Sequence, residues 1–174
     1  LSAAFGLAAT SLYFYSLGLI APQLQKEYGW TLAQITVAPV IISAINLLAS
    51  ARVGALVDRV GARRVALPGF IAFCLAFAAL ALARPQLWTW YGLWALLAVR
   101  FVFTAPSVWT SSIVGAFDRA RGLAISLALC ALSVTTFLTP RIVVWASAQE
   151  SWRFAYAVLG LGMLIAGAPV IFFA

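Results

Sequence analysis

The sequence predicts an all-α membrane protein, a bundle of six transmembrane helices, and three observations lead there. Hydrophobic residues make up 65% of the chain and charged residues only 9%, with a mean hydropathy of +1.06, a balance no soluble domain of this size shows. The apolar residues fall into six runs of about 20 residues, the length that crosses a hydrocarbon core. The charges gather in the short stretches between those runs, and connections this short make successive helices antiparallel neighbours.

The spans are expected near 1–24, 33–57, 65–83, 87–113, 123–146 and 153–174. The first is too long and too rich in Tyr and Phe for a signal peptide, and no cleavage site follows it. It carries a polar stripe at helical spacing, Ser11, Tyr15, Gly18 and Pro22. The second carries Thr36, Pro39, Ser43, Asn46, Ser50 and Gly54, and the third nothing more polar than Cys74. The fourth shows Arg100, Thr104, Ser107 and Ser111, and the fifth Ser126, Cys130 and Ser133 before Pro140 and Arg141. Beyond its Trp152-Arg153 entrance the sixth offers only Tyr156. Two oily and four striped spans fit lipid-facing supports around a shared wet cavity. The competing reading is that small and hydroxyl residues permit close helix packing, and it is preferred for Gly18, Gly92, Gly160 and Gly162. Pro22, Pro39, Pro106, Pro140 and Pro169 are expected to kink their helices. The chain opens on Leu1 and stops in apolar Val170 to Ala174, so a piece of a longer membrane protein is expected.

Composition also excludes function classes. With no histidine there is no His-based catalysis, metal ligation or proton relay. No nucleophile–base pair or metal cluster stands in the spans, so the reading is not an enzyme, with no cofactor and no metal. The net charge of +7 lies at the ends of apolar runs rather than on a polar face, which argues against nucleic acid as a partner. Cys74 and Cys130 sit in separate apolar runs and read as packing residues. A channel would want repeated rings of charge, which are missing. A non-transporting six-helix structural subunit fits the composition but gives no reason for a charged turn at 54–64.

Orientation follows from Lys and Arg in the loops. Arg59, Arg63, Arg64, Arg119 and Arg121 lie on one side, against Lys26, Arg84 and Arg153 on the other. The positive-inside rule puts the first group and both termini in the cytoplasm, in a plasma (inner) membrane. Trp30, Trp88, Trp90, Trp145 and Trp152 fall at the opposite end, as an interfacial aromatic belt would.

Arg100 is the charge that asks for an explanation. At the centre of the 87–113 span it costs on the order of 2.5–3.5 kcal/mol on insertion scales and cannot easily snorkel, so it must face water or the bundle interior. Glu27, Asp58, Asp118 and Glu150 all lie near membrane surfaces, which leaves Arg100 available to a substrate anion through paired N–H donors. A structural arginine bonded to helix carbonyls is the alternative, and both stay open. Arg52 and Arg141, nearer span ends, read as structural, although a break after Pro140 would aim Arg141 into the cavity.

The turn Gly54-Ala-Leu-Val-Asp-Arg-Val-Gly-Ala-Arg-Arg64 resembles the loop between helices 2 and 3 of major facilitator superfamily transporters, with Gly54, Leu56, Asp58, Arg59, Gly61 and Arg63 in place. Phe117 to Ala124 is similar to the family's loop 4–5, and Ser151-Trp152-Arg153-Phe154 to its helix 6 opening. Arg100 stands where the family often has a helix 4 arginine, with Thr104 in place of the usual glycine. The helix 5 antiporter motif lacks its glycines and keeps only Pro140, which argues against drug/proton antiport; a drug or other solute efflux carrier is the alternative within the family. Tyr28 to Thr31 with Gln34 and Ile35 resembles the monocarboxylate and oxalate/formate-like branch.

The resemblance implies the N-terminal half of a twelve-helix carrier whose C-terminal half is absent here, with substrate at the midplane between halves. It implies transport of a small solute, such as a monocarboxylate, by alternating access, with the lipid bilayer, the missing half and a coupling proton as partners. The substrate-binding candidates are Arg100, Thr104, Asn46, Tyr15 and Ser133. Gly54, Asp58, Arg59, Gly61, Arg63 and Arg121 would form a cytoplasmic latch, Asp58 pairing with an arginine and facing a helix end of the other half.

Overall fold

The computed structural model describes residues 2–106, 108, 109, 121–149 and 151–173; the side chains of 2–5, 10, 63, 121, 124 and 168–173 fall outside that description. The helices are α1 (Ser2–Tyr28), α2 (Leu32–Val60), α3 (Ala62–Ala79, continued by a 3-10 turn Leu80–Leu82), α4 (Leu87–Val102), α5 (Arg121–Gln149) and α6 (Trp152–Phe173). No strand occurs among the described residues. Leu32–Val60, Arg64–Leu82 and Ile125–Gln149 are long and apolar enough to cross a membrane, and Leu87–Val102 and Trp152–Gly167 are shorter apolar helices.

Start and stop signals are local. Thr31 caps α2 in a capping box: its hydroxyl accepts the Gln34 N–H at 3.3 Å, and Gln34 accepts the Thr31 N–H at 2.9 Å. Gly61 alone separates α2 from α3. Its φ of +94° is one that side chains resist, and its N–H donates to the Val57 carbonyl at 2.9 Å. The expected loop 58–64 is therefore a single residue, with Asp58 and Arg59 in the last turn of α2 and Arg63 and Arg64 in the first turn of α3.

Pairing is non-sequential. α1 packs mainly on α5, α2 on α4 and α3 on α6, while α1 also rests on α6 and α4 on α3. The two oily helices thus lie together, and α1 leans back onto them. Gly160 explains the α3–α6 approach: a Cβ there would lie 2.7–2.8 Å from Ala78 and the Cys74 carbonyl. Gly18, Gly92 and Gly162, expected to serve packing, have nothing within 4 Å of a Cβ position and face open space. The close glycines the sequence left unmarked are Gly6, against the Trp109 ring, and Gly69, against Phe103.

Three further expectations change. Span 87–113 is not one helix: α4 ends at Val102, the chain turns at Phe103 and Thr104, and helix resumes at Pro106. Pro106 lacks the N–H that would bond Val102, and it disfavours helical geometry at Ala105. By contrast α1, α2 and α5 run without interruption through Pro22, Pro39 and Pro140, so no break redirects Arg141. Of the aromatic belt, only Trp88 and Trp145 are exposed; Trp30, Trp90 and Trp152 are buried. They stack into one cluster, Trp30 on Trp90 with centroids at 5.8 Å and Trp152 on Tyr156 at 6.1 Å. Cys74 is buried as expected of a packing residue, whereas Cys130 is exposed on α5.

Candidate functional site

The bundle has one end stapled and one face open. At the stapled end, Arg153 of α6 pairs with Glu27 of α1 at 2.9 Å, and the Trp152 indole donates to the same carboxylate. Arg153 also donates to the Tyr28 hydroxyl, which in turn donates to the Ala83 carbonyl at 3.1 Å. Trp30 donates to the Pro85 carbonyl at 3.2 Å, and Tyr91 to the Gln34 carbonyl at 3.1 Å. Burial works against ionising Glu27, but hydrogen bonds from Trp152 and Arg153, the guanidinium charge and Tyr28 overcome it and hold its carboxyl below the usual range. Tyr28, Trp30 and Gln34 are thus engaged in tying helix ends together.

The polar stripes of α1, α2 and α5 are largely exposed. On α1, Leu12, Ser16, Leu17, Ile20 and Leu24 are buried toward its partners, and Phe14, Gly18 and Pro22 are exposed with Ser11 and Tyr15 half-buried beside them. Because α1 packs onto α3, α5 and α6, this face points away from the oily pair. Thr36, Ser43, Ser50 and Gly54 are exposed on α2, as are Ser126, Cys130, Ser133 and Arg141 on α5. The stripe hydroxyls turn back on their own helices, Ser11 to Ala8 at 2.8 Å, Ser43 to Pro39 at 3.0 Å and Ser126 to Leu123 at 3.0 Å. None of them bridges to another helix among the described residues, so they are not interhelical glue.

Depth can be read from helix length. Tyr15 and Asn46 are the middle residues of α1 and α2, and Ser133 lies two residues from the middle of α5. Arg100 lies about 20 Å along α4 from Leu87 at 1.5 Å per residue, against about 30 Å for the thickness of a hydrocarbon core. It is exposed in the last turn of α4, not at the centre of a continuous span. Asn46 is half-buried, with a buried Oδ1 that has no partner among the described residues. Thr104 departs from its expected place beside Arg100 on the open face: it is fully buried, its hydroxyl donating to the Phe101 carbonyl at 3.2 Å to close the turn after α4. Ser107, Ser111, Asp118, Glu150 and the 117–120 stretch lie outside the described residues.

Sequence reasoning passed over Tyr13. Its ring sits edge-on to Trp94 at 6.4 Å and to Phe101 at 5.4 Å, joining α1 to the turn that carries Arg100. Aromatic residues at 94 and 101, two helical turns apart, were the signal available.

At the other end of the bundle, Asp58 and Arg59 are exposed, and Asp58 has no ion pair among the described residues. The side chains of Arg63 and Arg121 fall outside the description. The charges here only partly suit the helix dipoles: in the last turn of α2 Arg59 complements the dipole and Asp58 opposes it, and two arginines open α3, where an acid is favoured.

Residues 3–174 match the profile of the Major Facilitator Superfamily. The chain belongs to the Major Facilitator Superfamily. No curated protein matches it. As a superfamily member it is an integral membrane protein of the transporter class, an all-α bundle with the architecture of half the superfamily fold. Superfamily transporters are in general not enzymes.

Proposed function

We propose that this chain is the anion-bearing half of a secondary active carrier for a small organic anion, such as a monocarboxylate, working by alternating access in a plasma membrane. The observation that carries the reading is Arg100, an exposed guanidinium in the last turn of an apolar helix with no carboxylate partner among the described residues. A cation held within a bilayer without an acid is expensive, and a bound carboxylate would offer the paired acceptors that its N–H donors fit. Tyr15, Asn46 and Ser133 would line the same vestibule at similar depth, Asn46 bringing an unpartnered Oδ1. Thr104 would shape the site through the turn rather than touch substrate.

In this reading the 54–61 stretch with Arg63 and Arg121 is a latch against a second six-helix half on the cytoplasmic side. Asp58, placed against its own helix dipole, would be relieved by an arginine or by the positive end of a helix across the interface. Substrate would exchange that closure for the opposite one.

The test is counterflow uptake of a panel of carboxylates, neutral sugars and organic cations into proteoliposomes holding the full-length protein, with and without an inward proton gradient. Uptake confined to carboxylates supports the reading, and its enhancement by the gradient assigns the coupling proton. Uptake of only cationic or neutral solutes overturns the anion assignment.

A further inference from the structure

Resting on that reading, we propose that the interruption of α4 at Phe103–Ala105 is a hinge, seated by Trp109, through which the turn carrying Arg100 moves one wall of a crevice beside Asp58.

The interruption is built rather than frayed. Phe103 N donates to the Arg100 carbonyl at 3.2 Å and Thr104 N to the Phe101 carbonyl at 2.9 Å, which tightens the last turn of α4. Val108 N then donates to the Ala105 carbonyl at 2.9 Å, starting a new turn. The Trp109 indole reaches back across the gap and donates to the Thr104 carbonyl at 3.1 Å. Thr104, Ala105 and Trp109 are all buried.

Two glycines clamp it from the sides. Phe103 rests on Gly69 of α3, where a Cβ would lie 2.8 Å from its side chain. The Trp109 ring covers Gly6 of α1 so closely that no Cβ fits. The third side faces α2. Val102, Ala105 and Val108, one before, one within and one after the break, form a wall of a crevice of about 120 Å³, and Gly54 and Asp58 stand on the wall opposite. A Cβ on Gly54 would meet nothing within 4 Å, so that side of α2 has room for approach. A change of angle at the break therefore changes the surroundings of Asp58 directly, while Arg100 lies one turn upstream of it. This is a contiguous link between site and latch with a single bending element, the physical requirement for coupling.

The experiment uses the full-length protein in proteoliposomes, in a C74A/C130S background with S50C as reporter on the crevice wall. Alkylation of S50C is timed in the parent, W109F, W109A and W88A, without substrate and then with a saturating transported carboxylate. W109F keeps an aromatic ring and loses the indole donor, and W88A removes a largely exposed indole as control. W109F and W109A are expected to change the substrate-free rate about fivefold or more and to abolish its response to substrate. Carboxylate affinity should stay within about threefold of the parent, and W88A should change nothing. Parental alkylation in W109F overturns the hinge, and so does loss of carboxylate binding without a change in S50C reactivity. If W109A does not fold, W109F decides alone. If no carboxylate is carried at all, the anion reading fails while the substrate-free comparison still tests the hinge.

Discussion

Arg153 and Glu27, separated by 125 intervening residues, meet at 2.9 Å and join the end of α1 to the start of α6. Both side chains are more than a third exposed, so the ion pair by itself is worth at most about 1 kcal/mol. The Trp152 hydrogen bond onto the charged carboxylate adds to it, and Tyr28 extends the tie to the Ala83 carbonyl. These bonds make one end of the half a rigid block.

Glu27 should therefore give stability an acid limb. Its folded value is depressed, so its contribution is complete above the ordinary glutamate value of about 4.3 and is lost as pH falls through the depressed value. In thermal melts of detergent-solubilised protein, E27Q should lower the midpoint at neutral pH by about 2–4 °C. The gap to the parent should shrink below about pH 4. A constant gap across the acid range would show that Glu27 does not titrate in this way.

Gly160 and Gly162 should respond to alanine with opposite signs. At 160 the new methyl meets Ala78 and the Cys74 carbonyl at 2.7–2.8 Å, and G160A should cost about 1–3 kcal/mol. At 162 nothing lies within 4 Å, and G162A should gain up to about 1 kcal/mol from helix propensity. Melting midpoints of the two variants measure this directly, and equal shifts would contradict the helix contact.

Asp58 should matter to transport and not to folding. It is exposed at the dipole-unfavourable end of α2, so D58N is expected to leave the melting midpoint equal to or above the parent's. Initial uptake should fall by about tenfold or more. D58N protein that transports at the parental rate would remove the latch.

The helices were legible because apolar run length is a property of each segment alone, and the polar stripes because helical spacing puts Ser11, Gly18 and Pro22 on one side whatever the neighbours. The break after Val102 was hidden inside a run that reads as continuous, since one proline among apolar residues fits both a kinked and an interrupted helix. Thr104 was assigned to the open face for that reason, and the turn rotates it inward. Trp30, Trp90 and Trp152 stand near span ends in the sequence, as an interfacial belt would, but burial depends on which helix ends converge, and local sequence does not encode that. The Glu27–Arg153 tie is invisible for the same reason, as is the Trp109 ring on Gly6.

Carboxylate binding to R100A and R100K, measured on purified full-length protein by calorimetry, tests the central assignment most directly. R100A should lose about 100-fold in affinity, equivalent to roughly 2.7 kcal/mol, and R100K should keep part of it through its charge without the paired donors. R100A binding within about threefold of the parent would contradict the anion site.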